Sequence, residues 1–372
     1  MTHSTEFKTL HRCVFTLVVA AVLIASTAGI ALAKDVKRTQ KTPYSANQVQ
    51  AAEGEPYASR AEAMQFADDL AARRNLDPSW VREQIGRARN LPTVARLMQP
   101  PAKSFVKNWR VYRSRFIDPI RIEAGARFWR ANLASLERAE KQYGVPAEII
   151  VGIIGVETIY GRDTGSFRVM DALATLAFDF PSNHPRASER TDFFKGELEQ
   201  FLTLQNRRSS DPFEPRGSFA GAMGMPQFMP SSWVKYAIDF DGDGNIDLWN
   251  NPADVIGSVA NYFKAFNWQP GMPTHYPVRF DPARLDLQTL MAPDILPTFS
   301  VSSFTAKGAV LEGQALQHQG QLALIELLNG PNEPSYVAGT ENFYVITRYN
   351  WSSYYAMAVI ELGREVAARL GR

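Results

Sequence analysis

The 372-residue chain has a single cysteine, Cys13. One thiol excludes a disulfide framework and a cysteine-built zinc site. A charge excess is also missing, since 40 basic residues face 38 acidic ones for a net of +2. That balance argues against a protein held on nucleic acid by charge alone. Beyond residue 33 the only histidines are His184, His275 and His318, and none has zinc-type spacing. A metalloprotease or zinc amidase is therefore not expected. No GxSxG elbow and no P-loop occur. Hydrophobic residues make up 45% of the chain, with ordinary numbers of Gly (24) and Pro (23). Collagen-like and wholly disordered readings fall away. The length suits one large domain or about two to three ordinary ones.

Lys8, His11 and Arg12 precede an apolar run over residues 14–33 that ends in Ala31-Leu32-Ala33. This is the small-x-small pattern of a signal-peptidase site, so residues 1–33 read as a cleaved signal peptide. An uncleaved anchor is the alternative, because the run approaches spanning length. Cleavage leaves 38 basic and 37 acidic residues and no cysteine. Cys13 stands before the apolar run, so lipoprotein acylation is not indicated. Residues 34–58 are polar and aperiodic, and read as a flexible lead-in.

Helix signals follow. Ser59-Arg60-Ala61-Glu62 reads as a capping box ahead of Ala63, Phe66, Ala67, Leu70 and Ala71. Asp77-Pro78 is an N-cap with proline at the first helical position, followed by Trp80, Val81, Ile85 and Ala88. A third helix is predicted through Ile122, Ala126, Trp129 and Leu133, continuing toward Tyr143-Gly144. Past Pro270, HYPVRF, TFSVSSF and FYVITRY are short β-prone segments, with Asn329-Gly330-Pro331 as a turn. A last helix starts near Ser353, with Val359, Leu362, Val366 and Leu370 on one side. The architecture reads as mainly α (α+β) with a small β insert.

The stretch PAEIIVGIIGVETIYG, residues 146–161, is the most informative. Pro146 opens a helix, and Ile149, Ile150, Val151, Ile153, Ile154 and Val156 cover nearly every face, so the helix is buried all round. Glu157 stands at its end. Apolar burial and the negative helix terminus both disfavour its charged form. A carboxylic acid still protonated near neutral pH is what glycosidic cleavage needs. The alternative is a structural Glu bonded to backbone. GSFAGAMGMPQFMPSSW, residues 217–233, is a small-residue loop that lets backbone approach a ligand. Ser218 and Gln227 there suit an amide-bearing sugar; a tight packing loop is the alternative.

IIVGIIGVETIYG, DALATLAF, GSFAGAMGMPQFMPSSW, DFDGDGNIDLWNNPADVIGSVANYFKAFNW and TRYNWSSYYAMAV resemble the lytic murein transglycosylases of the B type, in the same order, from about Phe105 to the C-terminus. The resemblance implies a lysozyme-like core flanked by a helical domain and a small β domain. The expected division is 59–144 helical, together with the C-terminal helix 353–372, then 145–270 as catalytic core and 271–348 as β domain. The implied reaction cleaves the MurNAc–GlcNAc β-1,4 bond of peptidoglycan without water, leaving a 1,6-anhydromuramoyl end. Glu157 matches the catalytic acid. Ser218, Gln227, Tyr262, Tyr349, Asn350 and Tyr355, with Tyr112 and Arg190, match substrate contacts.

Ordinary glycosidases use two carboxylates. Here Asp163, Asp171 and Asp179 are available, but none has a setting like that of Glu157. A one-carboxylate mechanism suffices if the sugar supplies its N-acetyl oxygen and its C6 hydroxyl, since intramolecular attack has a high effective molarity. A hydrolase of the same fold and a non-catalytic calcium-dependent wall-binding protein are the alternatives. Tyr349, Tyr354 and Tyr355 near Asn350 form the best candidate sugar platform, although most aromatics are core by default.

Asp239-Phe240-Asp241-Gly242-Asp243-Gly244-Asn245-Ile246-Asp247 matches the first nine positions of an EF-hand loop. Asp239, Asp241 and Asp243 are side-chain ligands, Asn245 offers its carbonyl, and Ile246 is the apolar anchor. Asn250 replaces the closing Glu. The resemblance suggests closure by Asp254 instead, in a loop of residues 239–254 with one extra residue at Asn250-Asn251. A structural Ca2+ is expected and no organic cofactor; an Asx-rich turn without metal is the alternative. Peptidoglycan glycan strands are the expected partner, with other cell-wall enzymes as candidates and nucleic acid not. The expected state is a periplasmic monomer.

Overall fold

The computed structural model of the chain describes residues 54–100 and 107–372. The signal-peptide reading and most of the lead-in lie outside them. Among the described residues no helix is long and apolar enough to cross a membrane. Helices dominate and strands are few and short, as the sequence indicates. The described chain divides into two compact units, one of residues 107–163 and 236–372, the other of residues 54–100 and 164–235.

The first unit is built around the helix Ala147–Thr158, here the acid helix, whose residues from Ile149 to Ile154 are buried to within 1%. The helices Pro119–Ala131, Leu133–Tyr143 and Pro252–Ala265 pack on it, and the C-terminal helix Ser353–Arg369 crosses it. This crossing brings backbone against backbone. A Cβ on Gly152 would lie 2.2 Å from the Val359 carbonyl oxygen, and one on Gly363 would lie 2.1 Å from that of Glu148. Only glycine permits this approach, and an alanine at either position forces the helices apart.

The predicted third helix is two. Asn132 leaves helical backbone (φ −121°, ψ 24°) and its Nδ2 donates to the Phe128 carbonyl at 2.8 Å, a side-chain bond that competes with the helix and ends it. Gly144 then closes the second piece in the left-handed conformation (φ 69°).

The β part of this unit is a three-stranded antiparallel sheet, with Asn332–Gly339 between His275–Pro277 and Ala323–Asn329, and a two-stranded one of Arg279–Phe280 with Ala309–Val310. Its longer hairpin turns at Gly330-Pro331. Two expected strands are helices instead. In TFSVSSF, Ser300 accepts from the Ser303 N–H and starts the helix Val301–Ala306. In FYVITRY, Thr340 caps Glu341–Tyr349 by accepting from the Asn342 N–H. A β-branched, aromatic run is ambiguous by composition, and a capping hydroxyl decides it.

In the second unit, Ala61–Arg74 packs on Pro78–Arg87 and Val169–Phe178 packs on Ala187–Arg207. Asp77 accepts from the Trp80 N–H with Pro78 behind it, as expected. The capping box does not form. Residues Tyr57–Ser59 are drawn into a 3-10 turn, Arg60 becomes the N-cap, and Glu62 pairs with Lys195 at 2.9 Å. Tyr57 is fully buried, so the end of the expected lead-in is held in the fold.

Candidate active site

The acid helix ends abruptly after Glu157. Ile159, Tyr160 and Gly161 are all left-handed (φ 51°, 58° and 87°), a conformation a β-branched residue adopts only under constraint. The constraint is visible. The Ile159 and Tyr160 N–H groups reach back to the Gly155 and Ile154 carbonyls at 3.2 and 3.3 Å, and the Asp163 N–H to that of Thr158 at 2.9 Å. The Tyr160 ring fills a notch between two helices, where a Cβ on Gly125 or on Gly155 would lie 2.4 Å from its hydroxyl. The turn thus fixes where Glu157 stands.

Glu157 is only partly covered, while the helix carrying it is buried. Tyr355, 198 positions along the chain, donates its hydroxyl to Glu157 Oε1. Oε2 has no hydrogen-bond partner among the described residues. Burial pushes the carboxyl up to about 8, and the Tyr355 hydrogen bond, which favours the anion, only partly opposes it. Tyr112, Tyr349 and Tyr355 are themselves raised, first by burial and next by the charge of Glu157. These phenols therefore stay protonated near the acid, and Tyr355 is the one that donates to it. Tyr349 stacks parallel to Tyr355, with ring centroids 6.5 Å apart at 14°.

Tyr262 stands one ring further out. It packs on Tyr349 at 4.8 Å, but its hydroxyl donates to the Arg348 carbonyl at 2.7 Å, so it supports rather than lines the acid. Asn350 is 2% exposed and its Nδ2 has no hydrogen-bond partner among the described residues. A buried amide left unsatisfied is costly, and a ligand acceptor would relieve it. Tyr354 faces elsewhere, with Trp109 and Tyr112 against its ring and the Leu328 N–H on its hydroxyl. Of the sugar platform expected from sequence, Tyr349 and Tyr355 stack together and Tyr354 does not join them.

The second unit carries the other expected contacts. Ser218 Oγ accepts from the Ala222 N–H at 3.0 Å, leaving its proton to donate. Gln227 commits its nitrogen to the Thr164 and Gly224 carbonyls, so its carbonyl oxygen is the group it can offer. Gly217 tightens this loop, since a Cβ there would lie 2.1 Å from the Ala222 oxygen. Arg190 is 3% exposed with Nε and Nη2 unpaired among the described residues. Burial, then the charge of Arg186, lowers it to about 10.

The alternative second carboxylates are otherwise engaged. Asp171 accepts from the Arg89 N–H at 3.0 Å and from Arg168 at 2.5 Å. Asp179 takes donors from Tyr57, Arg60 and Asn90; burial opposes them, yet together they hold it below the usual range. Asp163 is exposed. Glu197 is a buried acid that sequence reasoning passed over. Burial raises it too, but both its oxygens accept from Ser231. A raised carboxyl is therefore not enough, and Glu157 differs by keeping one oxygen free.

In the acidic loop, Asp239, Asp241 and Asp254 bring carboxylate oxygens within 4.8 Å of one another. Burial, and then the charges of Asp241 and Asp239, push Asp254 up against the pull of the Asp247 and Phe240 N–H groups. Asp243 is not in this group; its Oδ1 accepts from the Asn245 N–H. The extra residue serves the loop, because Asn251 caps the following helix and donates to Asp241 at 2.8 Å. Phe240 and Leu248 are the buried anchors, and the expected anchor Ile246 is only half-buried.

The transglycosylase SLT domain family matches residues 58–364. The membrane-bound lytic murein transglycosylase B of Escherichia coli (strain K12) is 42% identical over 330 residues, covering 84% of this chain and 85% of that protein. Among solved structures, the soluble lytic transglycosylase SltB1 of Pseudomonas aeruginosa is 41% identical, with 84% of this chain and 100% of that one covered, at a TM-score of 0.75. The Escherichia coli lytic transglycosylase Slt35 in complex with calcium is 42% identical, with 86% and 97% covered, at a TM-score of 0.72.

Glu157 ionises far above the ordinary carboxyl value of 4.5. The unfolded chain therefore loses this proton first, and the folded state loses stability as pH rises from about 4.5 to about 8. Glu157→Gln keeps an acceptor for Tyr355 and removes the charge. It should melt higher than wild type at pH 9, with the gap closing by pH 5 in thermal melts. A gap independent of pH would mean that Glu157 is not held protonated by the fold.

Proposed function

Because the chain belongs to the transglycosylase SLT domain family and is a lytic murein transglycosylase acting on peptidoglycan, we propose that Glu157 alone serves as its general acid and then as its general base. The observation that carries this reading is the desolvated carboxyl, with Oε1 held by Tyr355 and Oε2 free, a setting that raises its pKa to about 8. Oε2 gives its proton to the glycosidic oxygen as the C1–O4 bond breaks. Tyr355 steadies the carboxylate that results. The MurNAc N-acetyl oxygen supports the positive centre at C1. The C6 hydroxyl then attacks C1, its proton passes to Glu157, and the 1,6-anhydro ring closes with the acid regenerated. Intramolecular attack outruns water when the site is dry. The unsatisfied Nδ2 of Asn350 suits an amide carbonyl of the sugar. Tyr112 and Tyr349 shield the acid from water, and Tyr262 backs them. Ser218, Gln227 and Arg190 are further substrate contacts by family resemblance, with the buried guanidinium suited to a substrate carboxylate. The location we propose is the periplasm, reached through the segment of residues 1–33.

Glu157→Gln should lower turnover by at least about a hundredfold, the range of a lost general acid, while glycan binding persists. Wild-type products should carry anhydro ends by mass, and O-acetylation of C6 should stop their formation. Turnover of Glu157→Gln within tenfold of wild type, or equal cleavage of both substrates to reducing MurNAc ends, would overturn the reading.

We also propose that the loop of residues 239–254 holds a structural Ca2+. Asp239, Asp241 and Asp254 supply the clustered hard oxygen donors that such an ion takes, and the Asn245 carbonyl and Asp243 are further candidate ligands. A cation there would favour the charged form of Asp254, which burial and then the charges of Asp241 and Asp239 now disfavour. Calcium at a hundred times its dissociation constant should stabilise wild type by about 2.7 kcal/mol and the double variant Asp239→Ala, Asp241→Ala not at all. Identical wild-type melting in calcium and in chelator would remove the site.

A further inference from the structure

The line of aromatic rings that begins at Tyr355 does not stop at Tyr262. Tyr262 packs on Phe266 at 4.6 Å and on Tyr236 at 4.9 Å. Phe266 in turn lies against the Arg348 guanidinium, 5.4 Å from its ring centre. The same guanidinium sits 5.8 Å from the Tyr344 ring and 5.6 Å from that of Trp351, and its Nη1 donates to the Tyr344 hydroxyl at 3.3 Å. Tyr344 and Trp351 meet edge to face, 5.8 Å apart at 86°.

The burial of this group is uneven. Arg348 is 6% exposed and Tyr262 2%, whereas Phe266, Tyr236, Tyr344 and Trp351 all keep part of their surface in solvent. A cation enclosed by rings fixes their angles through cation–π contact. The fold has thus placed its charge inside and left rigid amphipathic ring surface outside, the reverse of an ordinary core. Rigid Tyr and Trp surface binds with little loss of side-chain entropy. The enclosed guanidinium is not presented to an anion, so an acidic ligand is disfavoured. The apolar C–H face of a sugar ring matches the ring faces. Trp351 also directly follows Asn350, the residue whose buried, unsatisfied Nδ2 suits the sugar amide beside Glu157.

We propose that Trp351 and Tyr344, locked by Arg348, form a further sugar-stacking subsite for the glycan strand, away from the bond being cut. It rests on the reading of Glu157 as the acid, because the packed rings that lead back to Tyr355, and Asn350 next in the chain, are what name the glycan as occupant. The subsite selects long strands over short ones.

The test uses the full chain, with peptide-free glycan strands as a long substrate and a tetrasaccharide as a short one. Trp351→Ala should raise KM for long strands about tenfold, the equivalent of ~1.4 kcal/mol, with kcat unchanged. Tetrasaccharide turnover should stay within about twofold, and Trp351→Phe should restore most of the long-strand KM. Equal losses on both substrates, or no loss on long strands, would overturn the subsite. In the Glu157→Gln background, direct binding should favour long strands, and adding Trp351→Ala should erase that preference. A preference that survives Trp351→Ala also overturns it. A wild-type enzyme that cleaves no glycan would overturn the acid reading instead, while the binding comparison still decides the subsite.

Discussion

Two backbones can touch only where side chains are missing, and the acid helix meets the C-terminal helix at two such places, Gly152 and Gly363. This crossing lies behind the chemistry. It seals the acid helix in apolar surroundings, and it brings Tyr355 to Glu157 across 198 positions of sequence. A looser crossing would admit water to the carboxyl and lower its pKa, because desolvation is the main term that raises it. Packing density and acid strength are in this way the same property.

Three desolvated acids, Asp179, Glu197 and Glu157, show how environment divides roles. Asp179 is surrounded by donors and stays charged. Glu197 is desolvated but spends both oxygens on Ser231, so it ties a helix start to the Ala187–Arg207 helix. Glu157 is desolvated with one oxygen spent and one available. Only the last combination both stores a proton and can deliver it. The aromatic residues divide similarly: Tyr355 acts on the acid, Tyr349 and Tyr262 stack behind it, and Trp351 and Tyr344 keep surface for contact.

Much of this was legible where the signal is local. The all-round apolar pattern of residues 149–156 announces a buried helix, Asp77-Pro78 a helix start, and Asn329-Gly330-Pro331 a hairpin turn. Local reading failed where distant partners decide. Ser59 looks like a cap, but Tyr57 is pulled toward Asp179 and takes Ser59 into a 3-10 turn. FYVITRY looks like a strand, but Thr340 caps it as a helix, and its Tyr349 is turned toward Tyr262 and Tyr355. Tyr355 was legible as a residue of the site through family resemblance, yet its bond to the acid was not, since no pattern links positions so far apart. The spacing of the acidic loop points to Asp239, Asp241 and Asp243, whereas folding clusters Asp254 with the first two and leaves Asp243 aside.

The central claim is that burial alone keeps Glu157 protonated and thereby makes it the acid. The pH dependence of kcat/KM on a peptidoglycan glycan tests it most directly, since that profile reports the ionisation of the free enzyme's acid. The account predicts activity that persists through neutrality and falls along a descending limb near pH 8, with the limb moving to higher pH in Tyr355→Phe, because the bond that favours the anion is gone. A descending limb near the ordinary carboxyl value, or one unmoved in Tyr355→Phe, would contradict it.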